Sequence, residues 1–124
     1  MADRVLTDTS VWVDHLRRRN PDLVALLEAG QVHIHPFVIG ELACGNLAQR
    51  TTILALLADL PQASALEHER VLAFFDSAKL MGQGIGWVDV NLLASAVEER
   101  LALWTFDRRL AAAAKRLGAV RHVR

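Results

Sequence analysis

The sequence predicts an α/β fold, with helices covering both faces of a mostly parallel sheet. Three observations lead there. Short apolar runs alternate with stretches of helical periodicity along the chain. That alternation reads as βαβ units, whose strands lie parallel and are buried on both sides. And no repeat, low-complexity tract or linker divides the 124 residues, so residues 1–124 are expected to form a single domain.

The elements follow in order. Arg4 to Thr7 is the first strand, and Ser10 is placed to cap a helix reaching about Arg18, with Val11 and Leu16 among its apolar positions. Asn20-Pro21 opens a second helix through Leu23, Leu26 and Leu27 to Gly30, with Pro at its first position and Gly just past its end. Gln31 to Ile34 is the second strand. "HPFVIGELACGNLAQR" turns helical after Pro36, and a further helix covers about Thr51 to Asp59. Ala63 to Leu66 is a third strand and the weakest element. A helix then runs from about Glu67 to Met81, and "GQGIG" interrupts before a helix over Val88 to Arg100. Leu101 to Thr105, a helix over Arg108 to Leu117, and a strand over Val120 to Val123 complete the chain.

Composition fits an ordinary globular protein: 52% of residues are hydrophobic and 23% charged, which argues against disorder. The single cysteine, Cys44, excludes an intramolecular disulfide framework and suits a reducing compartment. No His or Lys pattern surrounds it, so it reads as a small buried hydrophobe. Neither a secretory h-region nor a stretch of about 20 apolar residues occurs, and the expected location is cytoplasmic, without a membrane role. Fourteen basic side chains balance fourteen acidic ones, so net charge does not announce a nucleic-acid binder. From residue 101 onward, however, Arg108, Arg109, Lys115, Arg116, Arg121 and Arg124 face one acid, Asp107. That end could attract a phosphate backbone or be a solvated helix face.

Four carboxylates occupy unusual places. Asp8 ends the first strand, Asp107 follows the fourth, and Asp89 opens the helix in "GIGWVDVNLLASA". In a parallel sheet, strand C-termini and the following helix N-termini share one edge, where ligands bind. Asp8 and Asp107 fall on it directly, and a helix N-terminus favours the anion at Asp89. Either could instead be a simple cap or dipole partner. Glu41, early in its helix, is harder to explain so, because Phe37, Val38, Ile39, Leu42 and Ala43 leave it little polar face. Four acids together repel one another unless a cation binds them, and an all-oxygen ligand set suits Mg²⁺ or Mn²⁺.

"LTDTSVWVDHL", "FVIGELACG", "GIGWVDVNLLASA" and "LWTFDRRL", in this order and spacing, resemble the four signature blocks of the PIN domain, and more narrowly of the VapC toxins of type II toxin–antitoxin systems. The resemblance spans essentially the whole chain. It implies a three-layer α/β/α sandwich and a metal-dependent ribonuclease. Metal binding would fall to Asp8 and Asp89, with Glu41 and Asp107 completing an acidic pocket and Thr9, Ser10 or Thr105 hydrogen-bonding within it. It also implies RNA as substrate, a VapB-type antitoxin that puts a basic side chain into the pocket, and a homodimer. One departure is Trp87-Val88 ahead of Asp89, where the family varies, which bears on pocket shape more than chemistry.

The chemistry follows from the acids. Phosphodiester hydrolysis needs an activated water, in-line approach and neutralised phosphate charge, all of which a divalent ion supplies. Glu41 would orient or deprotonate the water, Asp107 would ligate a second ion or act from behind the first, and the products would be a 5′-phosphate and a 3′-hydroxyl. The nearest rival is a Mg²⁺-dependent phosphatase or phosphoacceptor-like α/β domain. It fits less well: Asp8-Thr9-Ser10 lacks the D-x-D of one class, and "VRHVR" lacks the Lys of the other. A binding module whose acids merely cap helices is the second rival.

The remaining signals read as structural. His33 and His35 in "VHIHP" have no third zinc ligand in register and fit a polar strand face. His15, His68 and His122 are isolated. Arg17-Arg18-Arg19 is an exposed helix end or an RNA contact, and the glycines of "MGQGIGW" form a loop beside the site, not a dinucleotide fingerprint. Leu54, Leu56, Leu57 and Leu60 favour the core over a dimer surface.

Overall fold

The computed structural model describes residues 4–120. Strand β1 (Val5–Thr7) lies in the middle of a parallel sheet, between β2 (Val32–His33) and β3 (Ala102–Trp104). Val5 pairs with Val32 and Ala102, Leu6 with His33 and Leu103, and Thr7 with Trp104. All three β1 residues are buried, as a central strand covered on both faces requires.

Two single bridges widen the sheet, Ile34 with Gln62 at one side and Leu103 with Val120 at the other, both parallel. The third strand expected over 63–66 is therefore corrected. Pairing is confined to Pro61–Ala63, where the Ile34 N–H donates to Pro61 O at 2.9 Å and the Ala63 N–H donates to Ile34 O at 2.8 Å. "PQASAL" holds no β-branched or aromatic residue to continue it. Of the last strand expected over Val120–Val123, Val120 makes the single bridge to Leu103, and the rest lies outside the described residues.

Among the described residues seven helices make the outer layers of a three-layer α/β/α sandwich: α1 (Thr9–Arg18), α2 (Pro21–Glu28), α3 (Pro36–Ala43), α4 (Arg50–Ala58), α5 (His68–Ser77), α6 (Trp87–Glu99) and α7 (Arg108–Arg116). Asn20 caps α2, its Oδ1 accepting from Leu23 N at 3.0 Å, with Pro21 at the first helical position as expected. Helix α5 stops four residues short of the expected Met81, where Lys79 takes a positive φ of 55°. Helix α6 is buried from Val90 to Ala96 against β3 and α5. An all-round buried helix of this kind belongs at the centre of a core. Helix α7 buries Leu110, Ala113 and Ala114 at helical spacing.

Two further expectations change. Cys44 is exposed at the C-cap of α3, because that helix ends at Ala43 and the chain turns outward there. The leucines of α4 divide: Leu57 is buried, Leu54 and Leu60 pack against the core, and Leu56 is exposed. No helix among the described residues is long and apolar enough to cross a membrane.

Candidate active site

The site forms where β1 and β3 end. The Asp8 N–H donates to Trp104 O at 2.9 Å, so the β1–β3 ladder continues one residue past Thr7. Asp8, 6% exposed, is itself the N-cap of α1. Ser10 was expected to be that cap, and the correction has a simple cause. An extended Asp at the strand tip already faces the first free amides, and its Oδ2 accepts from Ser10 N at 3.4 Å. Ser10 serves the carboxylate instead: its Oγ donates to Asp8 Oδ2 at 2.7 Å.

Thr105 Oγ1 donates to the same Oδ2, also at 2.7 Å. Ser10 Oγ in turn accepts from Phe106 N (3.0 Å), and Thr105 Oγ1 accepts from Asp107 N (3.0 Å). Two hydroxyls thus tie the tip of β1 to the turn after β3. All these bonds reach Asp8 through Oδ2; Oδ1 accepts none among the described residues and is the oxygen left for a ligand.

Asp107 is exposed and caps α7, its Oδ1 accepting from Arg109 N and Leu110 N at 2.9 and 3.0 Å. Its Oδ2 accepts no hydrogen bond among the described residues. Asp89 sits at the third position of α6, half-buried, with Oδ2 reaching back to Gly86 N at 3.4 Å. Burial pushes its carboxyl above the ordinary range; the Gly86 bond opposes this, and the like charges of Asp8, Asp107 and Glu41 add to the rise. That mutual repulsion is the electrostatic sign that the four acids share one field.

Glu41 departs from expectation in two ways. It is exposed rather than held among apolar neighbours, since Val38 and Leu42 take the inward positions of α3. It also lies in the last turn of α3, because the helix ends at Ala43, and there the macrodipole disfavours a carboxylate. What brings it to the site is α1: Thr9 Oγ1 donates to Glu41 Oε1 at 2.6 Å. Beside this pair an apolar groove of about 500 Å³ is lined by Thr9, Val13, Leu16, Arg17, Leu42 and Ile53.

The acids fit a cation. Among the described residues the ion pairs are Arg18 with Asp14 and Arg70 with Glu98, and none involves Asp8, Glu41, Asp89 or Asp107. No three His, Cys, Asp or Glu side chains there stand close enough to form a closed ligand group. An open set of that kind suits Mg²⁺, which keeps several waters and takes one or two carboxylates directly.

Sequence reasoning missed three features here. His35 is fully buried and caps α3, its Nδ1 accepting from Phe37 N at 3.0 Å, so "VHIHP" is not simply a polar strand face. His68 packs on Trp87 at 5.0 Å between ring centroids. Gly84, with φ +74°, lies so close to Arg109 that a Cβ there would meet Nη1 at 2.5 Å.

Asp8 and Asp107 at the N-caps of α1 and α7, Asp89 at the head of α6 and Glu41 in the last turn of α3 thus gather at the carboxyl edge of a parallel sheet. The PIN-domain family matches residues 5–116. The chain belongs to the PIN-domain family. Within it the chain is of the VapC type. It is 45% identical over 115 residues, 92% of its length and 93% of theirs, to Ribonuclease VapC32 of two Mycobacterium tuberculosis strains, CDC 1551 / Oshkosh and ATCC 25618 / H37Rv.

Proposed function

We propose that the protein is a Mg²⁺- or Mn²⁺-dependent endoribonuclease toxin that hydrolyses RNA phosphodiester bonds at the acidic site and is neutralised by a VapB-type antitoxin. The observation that carries this reading is the set of four carboxylates that share one field and make no ion pair among the described residues, in a chain 45% identical to Ribonuclease VapC32. Asp8 and Asp89 would hold the ion, Asp8 through the free Oδ1 and Asp89 from the head of α6. A bound divalent ion supplies positive charge against the scissile phosphate and acidifies the attacking water. Glu41, held by Thr9, takes the water's proton; Asp107 keeps its unused Oδ2 toward the same field. Ser10 and Thr105 fix the Asp8 carboxylate so that little reorganisation is needed when substrate arrives.

Like most of its type the protein would act as a cytoplasmic homodimer. The apolar groove that starts at Thr9 and Glu41 suits an amphipathic antitoxin segment, which would bring a basic side chain to the acids. End-mapped RNA sequencing after induced expression tests the reading. Growth arrest with cuts leaving 5′-phosphate and 3′-hydroxyl ends is expected, absent for Asp8→Asn. Cuts that persist in Asp8→Asn would overturn it.

A further inference from the structure

Helix α7 presents a face of a single charge. Arg108, Arg109, Lys115 and Arg116 are all exposed, with Ala112 between them, while Leu110, Ala113 and Ala114 point into the core. At 3.6 residues per turn the exposed positions fall within about 120° of the helix, opposite the buried ones. Arg108 and Lys115 lie two turns apart, as do Arg109 and Arg116, so one pair of cations follows the other at about 10 Å along the axis. Arg109 and Arg116 lean on the segment between α5 and α6. The Arg109 guanidinium lies over Gly84, and Arg116 Nη2 donates to Ala78 O at 2.8 Å. Arg108 and Lys115 stand free on the other side, and none of the four makes an ion pair among the described residues.

Helix stability does not explain this face. Lys115 and Arg116 suit the negative end of the helix, but Arg108 and Arg109 stand in its first turn, where the macrodipole disfavours cations. Nor does the face suit a folded protein partner, because it has no apolar side chain larger than Ala112 for such a partner to bury. Cations in a row without an apolar centre match a phosphate backbone. The face also starts in the right place. Asp107 caps α7, and its N–H is bonded to Thr105 Oγ1, which holds Asp8, so the row leads away from the acids. Its span of about 10 Å is the rise of about three stacked nucleotides. We propose that Arg108, Arg109, Lys115 and Arg116 form a track for the RNA phosphate backbone beyond the scissile bond, binding by charge and without regard to base sequence. The track rests on the ribonuclease reading above and adds to it an anchor outside the acidic pocket.

The test uses the intact protein and a labelled single-stranded oligoribonucleotide. Fluorescence anisotropy in EDTA, where no bond is cut, reads affinity against salt. Each backbone contact to a single strand contributes about −0.7 to the slope of log affinity on log salt. Arg108→Gln together with Lys115→Gln should therefore make the slope shallower by about 1.4, and substituting all four by Gln should do so by about 2.8. Between about 50 and 200 mM salt the double variant should lose roughly sevenfold less affinity than wild type. Arg18→Gln together with Arg70→Gln removes the same charge from paired arginines elsewhere and should leave the slope unchanged. With Mg²⁺ the four substitutions should raise KM and hold kcat within about twofold, since the acids and their hydroxyl partners are untouched. A wild-type slope in the fourfold variant would overturn the track. So would an equal change in the Arg18 and Arg70 variant, which would make it an effect of net charge. Wild-type RNA affinity with lost binding of polyglutamate would give the face to an acidic protein segment instead. A shallower slope in the variants, with no cleavage by wild type in Mg²⁺, would remove the ribonuclease reading and leave a nucleic-acid-binding face. Cleavage with an unchanged slope would do the reverse, and the absence of both would remove both.

Discussion

Thr105 Oγ1 donates to Asp8 Oδ2 at 2.7 Å, and through that bond the end of β3 sets the orientation of the carboxylate that ends β1. The hydroxyl also accepts from Asp107 N, so a single side chain holds two of the four acids. Thr105→Val keeps the shape and removes both bonds. A partner behind a metal ligand is typically worth 10- to 100-fold in activity, so kcat should fall by about that much. Stability should fall by roughly 1–2 kcal/mol in urea denaturation. Thr105→Ser should restore most of the rate. Full activity in the valine variant would show that Asp8 needs no such anchor.

Asp8→Asn separates charge from structure. Asn is as good an N-cap as Asp, and its carbonyl oxygen can still accept from Ser10 and Thr105. The fold should therefore persist, with a thermal midpoint within a few degrees of wild type in EDTA. Ribonuclease activity should drop below detection, because a ligand charge is gone. Collapse of the fold would instead mean that Asp8 is mainly a structural cap.

Much of the site was legible because parallel strands leave little freedom: once β1 and β3 point the same way, Asp8 and Asp107 must share an edge. The order of elements and the Asn20-Pro21 start were legible for similar local reasons. Glu41 lies beside the other acids, but not for the reason its sequence suggested. Its neighbours in sequence are apolar, yet Val38 and Leu42 turn inward and leave it outside, and the Thr9 bond that fixes it spans 32 residues. Cys44 failed likewise, since nothing local marks Ala43 as the end of α3. Stacking between Trp87 and His68, or the Gly84–Arg109 contact, joins segments whose approach depends on the whole core.

Asp89 carries a stability cost that a cation should relieve. Its raised carboxyl pKa means that the folded protein holds a proton more tightly there than the unfolded chain does. The penalty is absent below the ordinary value of 3.8, grows as pH rises through the shifted value, and is complete near neutrality. At pH 7 in EDTA, Asp89→Asn should melt above wild type while cleaving no RNA. Mn²⁺ at about a hundred times its Kd should stabilise wild type by about 2.7 kcal/mol, and the variant by far less. Differential scanning calorimetry with and without Mn²⁺ reads both, and a variant that gains as much as wild type would place the ion elsewhere.

His35 makes α3 sensitive to acid. Burial lowers its pKa from 6.5 to about 4, with Glu99 opposing, and its unprotonated Nδ1 is the acceptor that caps α3. Protonation therefore favours the unfolded chain. The stabilisation is complete above the unfolded value of 6.5 and is lost as pH falls toward about 4, where the folded protein also takes up the proton. Between pH 7 and pH 4.5 this one group should remove about 2–3 kcal/mol. Since α3 carries Glu41, its loosening at low pH should also lower activity. His35→Asn keeps a side-chain cap without titrating near these values. Urea denaturation at the two pH values should then show wild type losing about 2–3 kcal/mol more than the variant. Equal losses would mean that the acid sensitivity arises from the carboxylates and that His35 is a passive cap.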